Sequence, residues 1–152
     1  MILENDLIRV ELDNETGGFR SLKDLRLDQE WVCAPDRSLL FRLMVPDGER
    51  ECAHVESGAA TVVREGSNCV LTFARNGIST QAFLELDGDA LVCRLQIVND
   101  GPAPVEEIMF PYLRGLAPVE KACIIWPHFH FRRIDDVFGR GLGGDHHSWN
   151  EM

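Results

Sequence analysis

Histidines concentrate near the end of the 152-residue chain, at spacings that could serve metal binding. His128 and His130 are two residues apart, so on a β-strand both imidazoles would project to one face. His146 and His147 could complete the set of nitrogen ligands, and Asp145 could add an oxygen ligand. Zinc and related metals bind both kinds of ligand. In the alternative interpretation, the first pair lines a polar groove or is solvated, and the second belongs to a flexible end.

Aromatic rings beside charged side chains in the same part of the chain suggest carbohydrate. A sugar presents apolar C–H faces that stack on aromatic rings, while its hydroxyls bond to polar side chains. The predicted ligand-binding residues are Tyr112, Trp126, His128, His130, Arg132, Asp135 and Trp149. In the competing interpretation, Trp126 and one face of residues 128–131 are core, since large aromatic side chains are more often buried than ligand-binding.

The neighbouring carboxylates of the sequence are poorly placed for glycoside hydrolysis. Two such groups must face each other across the sugar, whereas adjacent strand residues point to opposite faces. Residues 106–107 and 135–136 are therefore interpreted as solvated charges. Gly139, Gly141 and Gly144 have the spacing of a dinucleotide-binding loop, but no βαβ unit surrounds them. No catalytic residue is assigned, and no cofactor is expected.

Short β-strands are the elements that must position these side chains. Turn signals recur about every ten residues between Pro46 and Gly101, which is typical of an antiparallel all-β sandwich. Asn76-Gly77 separates two alternating runs, the strongest short hairpin signal. No stretch of a dozen residues has an amphipathic helical pattern. In residues 38–45 the same alternation predicts one buried face, formed by Leu39, Phe41, Leu43 and Val45.

The N-terminal segment predicts a hairpin. Ile8, Val10 and Leu12 alternate with polar residues, the period of a strand with one face buried. Gly17 and Gly18 then allow the positive φ angles of a tight reversal. The residues after the glycines are interpreted as a second strand, because the helical spacing there is short and lacks a good N-cap.

Composition and charge narrow the possible partners. The chain has 25 acidic and 15 basic side chains and a formal charge of −10, which repels phosphate backbones and anionic lipid, so neither nucleic acid nor membrane is expected as a partner. Glu4 and Asp6 stand where a signal peptide would need basic and then apolar residues, so a cytoplasmic location is expected. The five cysteines are widely spaced without a C-x-x-C pair, and Cys69 and Cys93 are interpreted as small buried residues.

The chain also resembles a known family. Its N-terminal segment is similar to the opening β-hairpin of galactose-mutarotase-like β-sandwich domains, which often stand at the N-terminus of carbohydrate-active enzymes. The shared pattern is an Asn, a hydrophobic strand with Arg, an Asp, then T-G-G-x-x-S-L-x-D and finally E-W. The matching residues are Asn5, 8–11, Asp13, Thr16, Gly17, Gly18, Ser21, Leu22, Asp24, Glu30 and Trp31. Later, EEIMFPYLRGL and IIWP resemble strands of the same domains.

The resemblance implies an incomplete galactose-mutarotase-like supersandwich, with a β-sandwich domain at residues 1–136 and a glycine-rich tail at residues 137–152. In the mutarotase enzymes the acid and base lie on strands beyond the part that this chain matches. The resemblance therefore carries no catalytic residue onto this sequence.

Three functions follow as hypotheses. The first is a noncatalytic carbohydrate-associated module of a glycoside-hydrolase-like protein, whose partner is a C-terminal catalytic domain outside this chain. The second is a small sugar-converting or metal-dependent enzyme that uses His128, His130, His146 and His147. The third is a structural domain without ligand, in which a second copy covers the open edge of the sandwich to form a homo-oligomer.

Overall fold

In the computed structural model, β-strands account for nearly all regular structure of the described residues, which are 1–46, 52–66, 68–117, 123–126 and 132–135; the last two ranges are described by their backbone alone. The strands are β1 Ile2–Glu4, β2 Ile8–Leu12, β3 Phe19–Asp24, β4 Gln29–Glu30, β5 Arg42–Pro46, β6 Cys52–Glu56, β7 Thr61–Glu65, β8 Asn68–Arg75, β9 Ile78–Asp87, β10 Ala90–Asn99, β11 Glu107–Met109, β12 Cys123–Trp126 and β13 Arg132–Asp135. A 3₁₀ turn spans Pro35–Arg37. Within these ranges, no helix has the length and apolar character needed to cross a bilayer.

All strand pairs are antiparallel, which confirms the predicted all-β sandwich class. The chain divides into two compact units, Met1–Ala117 and Pro118–Met152. The first unit contains sheets with the strand orders β1-β2-β3-β4, β10-β9-β8-β7 and β11-β5-β6. The second contains the β12-β13 pair. The predicted tail at residues 137–152 lies outside the described residues, so the division at residue 136 stays a prediction.

The three sheets of the first unit share one hydrophobic core. Phe41 and Phe73 meet edge to face, with ring centroids 5.1 Å apart and planes at 86°. Each sheet supplies side chains that are almost completely buried: Leu3, Val10, Leu12, Phe19, Leu43, Val55, Cys69, Leu71, Phe73, Ile78, Ala82, Leu84 and Leu86. This shared burial holds the three sheets together as a sandwich.

The prediction that Leu39 faces the core in line with Phe41 is wrong. Strand β5 begins only at Arg42, so the alternating pattern does not extend back to residue 39. Leu40 and Phe41 are instead buried side by side, at 0% and 1% exposure. The backbone N–H of Leu40 donates to the Ser57 hydroxyl at 2.9 Å, which helps to hold this irregular segment in place.

The predicted reversal at Asn76-Gly77 is confirmed. Strands β8 and β9 pair in continuous register up to Arg75 and Ile78, which leaves two residues for the turn. Asn76 has φ 53° and Gly77 has φ 77°, the positive angles of a type I′ hairpin turn.

The N-terminal hairpin is also confirmed, and Asp13 anchors its turn. Its carboxylate accepts backbone N–H bonds from Glu15 at 2.9 Å and Thr16 at 2.7 Å. Its other oxygen accepts from the Arg20 guanidinium at 2.7 Å. The Thr16 backbone N–H and the Arg20 guanidinium hold the pKa of the Asp13 carboxyl well below its ordinary value of 3.8. The Asp13 side chain is therefore ionised when it holds the turn.

Two buried glycines let this turn enter the core. Gly17 has φ 70°, and a Cβ there would lie 2.8 Å from the Leu71 side chain. A Cβ at Gly18 would overlap the backbone carbonyl of Ser38. Beside it, the buried N–H of Phe19 donates to the Ser38 hydroxyl at 3.0 Å. The turn thus packs against the core with no room for a side chain at either glycine.

Other polar residues of the resembled hairpin pattern also close turns. The Asn5 amide oxygen accepts from two backbone N–H groups, and its nitrogen donates to the Gly88 carbonyl at 2.8 Å, which ties the first sheet to the β9–β10 turn. The Glu30 carboxylate accepts from the Ser21 hydroxyl and from the Leu22 N–H at 2.9 Å. These described contacts give the pattern a structural role.

Replacing Gly18 with alanine is expected to destabilise the protein by about 2 kcal/mol, because the new methyl group overlaps backbone atoms that cannot rotate away. Urea unfolding measures the effect. Gly58→Ala is the matched control, since nothing lies within 4 Å of its Cβ position. Equal stabilities for the two variants would contradict the packing described for the hairpin turn.

Asp13→Asn is expected to lower the free energy of unfolding by about 1 kcal/mol at pH 7. The pKa of Asp13 is depressed in the folded protein, so its ionised form stabilises the fold above the unfolded value of 3.8, and this contribution is lost as pH falls through the folded pKa. The difference in the free energy of unfolding between wild type and variant, measured by urea unfolding, should therefore be smaller at pH 3 than at pH 7. Asp36→Asn, which changes an exposed partner of Arg20, should have little effect.

Candidate functional site

Tyr112 is the predicted ligand-binding residue whose side chain the structure describes, and it lies three residues after the end of β11. The Phe110–Pro111 peptide before it is cis. The backbone N–H of Tyr112 donates to the Leu40 carbonyl at 3.0 Å, which ties this segment to the buried link before β5. The side chain is half-buried. Tyr112 therefore stands at the boundary between core and solvent.

Two arginines lie against the Tyr112 ring. The guanidinium carbon of Arg42 is 5.0 Å from the ring centroid, and that of Arg114 is 5.5 Å from it. Arg42 opens β5, and its neighbour Leu43 is fully buried, so strand alternation turns Arg42 away from the core. Both distances are within the range of cation–π attraction. The ring is thus held against two positive charges.

Glu56 orients the first of these arginines. Arg42 and Glu56 are direct partners in the β5–β6 register. The Arg42 Nε donates to Glu56 Oε1 at 2.8 Å. The two side chains are 21% and 37% exposed, so solvent only partly screens the pair. We call Arg42, Glu56, Tyr112 and Arg114 the Tyr112 cluster.

The Tyr112 cluster combines an aromatic surface, the hydrogen-bond donors of two guanidinium groups, and a carboxylate acceptor. A neutral polyhydroxy ligand suits this set, because its hydroxyls can accept from guanidinium groups and donate to a carboxylate. The arrangement supports binding of such a ligand.

The second unit brings two predicted ligand-binding residues together. Trp126 pairs with Arg132 in the β12–β13 register, whereas Asp135 pairs with Cys123 at the far end of the hairpin. The remaining predicted residues, His128, His130 and Trp149, lie outside the described residues, as do His146 and His147 of the alternative metal site. The ligand-binding and metal assignments of all these residues stay predictions.

Sequence reasoning missed Arg42, Glu56 and Arg114. Arg42 and Glu56 have opposite charges, but their proximity follows from the pairing of β5 with β6, and residues 49–57 have little pattern in the sequence. Arg114 was the easier to find, because it lies two residues after Tyr112 in the same irregular segment.

Two concavities of the first unit lie elsewhere, and Tyr112 lines neither of them. One, of about 280 Å³, is on the β7–β10 sheet and is lined by apolar side chains such as Val63, Val70 and Phe83 together with the polar side chains Asn68, Glu85 and Arg94. The other, of about 260 Å³, is lined by Val45, Val55, Ile78 and Pro102 among others.

Cys69 and Cys93 are poor candidates for nucleophilic chemistry. Cys69 is buried, as predicted, whereas Cys93 is only half-buried. Burial raises the pKa of each thiol to about 11, so both stay protonated at neutral pH. Among the residues that the structure describes, no group of three or more His, Cys, Asp or Glu side chains could hold a metal ion.

Comparison with protein-family models gives no match, and comparison with curated protein sequences gives none either.

A double-mutant cycle on Arg42 and Glu56 tests the geometry of the Tyr112 cluster. Arg42→Met and Glu56→Gln each remove one charge, and the two changes together should cost about 1 kcal/mol less than their sum, because each single change already abolishes the pair. Urea unfolding of the four proteins gives the coupling energy. A coupling energy near zero would contradict the ion pair. Arg9 and Glu4, more exposed and 3.6 Å apart, provide a control cycle with weaker coupling.

Proposed function

We propose that this chain is a noncatalytic carbohydrate-associated module of the galactose-mutarotase-like supersandwich type, within a glycoside-hydrolase-like protein. It contributes sugar contacts, or packing, to a catalytic part outside this chain. The observation that carries the proposal is the Tyr112 cluster, in which a half-buried aromatic ring is held beside two guanidinium groups and a carboxylate.

The chemistry of this cluster favours a neutral sugar. An aromatic ring supplies a surface for the C–H face of a sugar, and fixed polar groups at its border select hydroxyl orientations. The Glu56 carboxylate directs the Arg42 guanidinium, so a ligand meets donors that are already oriented. Preorganised groups of this kind lose less entropy on binding than free side chains do.

The noncatalytic part of the proposal draws support from the resembled hairpin residues. Asn5, Asp13 and Glu30 each accept backbone N–H bonds within the first sheet or its turns, and Gly18 packs against Ser38. Their described partners account for the pattern by folding alone. The pattern therefore supports a type of domain and assigns no chemical step to these residues.

The single tyrosine of the chain gives a specific test of carbohydrate binding. With ¹³C-labelled tyrosine, all ring signals in an NMR spectrum report on Tyr112, and a panel of neutral oligosaccharides should include one that shifts them saturably. Tyr112→Ala should then weaken binding about fivefold, since a ring contact contributes about 1 kcal/mol. Tyr112→Phe, which keeps the ring, should lose less.

Unchanged tyrosine signals across the whole panel would contradict the proposal. Binding of Tyr112→Ala with undiminished affinity would also contradict the assignment of the Tyr112 cluster as the sugar contact. Isothermal titration calorimetry with the same oligosaccharides gives the affinities, and circular dichroism verifies that each variant is folded.

A further inference from the structure

Strand β10 differs from the other edge strands of the first unit. In the described sheets, β9 is the single hydrogen-bonded neighbour of β10, so its other side is an open edge. The remaining edge strands are β1, β4, β6, β7 and β11. Each spans between two and five residues and contains a glutamate. Strand β10 spans 10 residues and carries one charge, Arg94.

Proteins ordinarily protect exposed sheet edges by short length, several charges, proline or a bulge. Strand β10 contains no proline, and its register with β9 runs without interruption from Ala90 to Asn99. Its backbone donors and acceptors on the open side therefore form a long and regular template for another strand.

The core is also incompletely covered along β10. Leu91, Cys93, Leu95 and Ile97 pack against the core, yet all four are only partly buried. On the neighbouring strand β9, the core-facing residues Ala82 and Leu84 are 0% and 1% exposed. On the outer face, Val98 is 46% exposed. An added strand would bury this half-exposed apolar row.

We propose that the open edge of β10 binds β10 of a second copy of this chain, so that the four-stranded sheet continues across a two-fold axis. The ranges of the printed sequence outside the described residues are poor candidates for this edge. Residues 118–122 and 127–131 begin with proline, 47–51 carries charges at four of its five positions, and 136–152 is rich in glycine, all unfavourable in strands.

Symmetry and charge together select one register. Paired residues must lie on the same face, so a two-fold axis normal to the sheet passes midway between one residue and its own copy, which pair with each other. An axis at Arg94 sets two positive charges directly opposite each other, which is unfavourable. An axis at Leu95 pairs all of β10 except Ala90 and sets each Arg94 opposite the Gln96 of the other copy. The Leu95 register therefore combines a long pairing with no opposed like charges.

Charge changes at Gln96 test both the interface and its register. Gln96 is exposed, so neither change disturbs the core. Gln96→Lys sets two lysines opposite two arginines and should raise the dimer dissociation constant about fivefold, whereas Gln96→Glu creates two opposite-charge pairs and should lower it about fivefold. Sedimentation velocity over a range of protein concentrations gives these constants.

Gln81 provides the matched control. It is exposed on the same sheet face and pairs with Gln96 in the β9–β10 register, one strand away from the edge. Gln81→Lys and Gln81→Glu change the net charge equally and should leave the dissociation constant nearly unchanged in 0.15 M salt, where charges farther apart than about 8 Å are screened.

Three outcomes would overturn the proposal. They are a monomer at every soluble concentration, a dimer insensitive to the Gln96 changes, and a dimer that both changes shift in one direction. Hydrogen exchange identifies the occupant of the edge. Amides of β10 whose protection rises with protein concentration support a second copy, whereas amides protected at all concentrations in a monomer identify another part of the same chain and overturn the proposal.

Discussion

The steric fit of the Gly17–Gly18 turn against the core is the constraint on which the first unit depends. Residues of the turn contact Leu71 of the second sheet and the Ser38 backbone of the link before β5, so one reversal touches elements far apart in sequence. Asp13 holds the turn from the solvent side through backbone N–H groups and Arg20. Local turn chemistry and long-range packing thereby specify the same geometry, which favours a single native state.

The residues of the resembled hairpin pattern and the residues of the Tyr112 cluster are different sets. The polar residues of the resembled hairpin are engaged with backbone partners, whereas the Tyr112 cluster lies on a different sheet and uses side chains outside that pattern. The proposed carbohydrate role thus rests on Tyr112 and its arginines, which the scaffold attaches to paired strands.

Local signals in the sequence predicted much of the fold. Asn76-Gly77 specifies its turn because both residues tolerate positive φ, and alternation identifies Val10 and Leu12 as core. Leu40 was missed because its burial depends on an irregular link held by Ser57, which alternation does not encode. Arg42 and Glu56 were missed for a related reason, since their pairing depends on which strands become neighbours. Tyr112 was identified from residue type alone, and its ligand remains a prediction.

Native-state hydrogen exchange tests whether the Gly17–Gly18 turn is held as firmly as the core on which it packs. Turns usually exchange by local opening, but here the N–H of Gly17 donates to the Asp13 carbonyl at 3.0 Å and the N–H of Phe19 is buried against Ser38. We predict that both amides exchange only through global unfolding. Their exchange free energies should then equal those of amides in the buried strands β8 and β9. Exchange of these amides at a much lower free energy that does not vary with urea would contradict it.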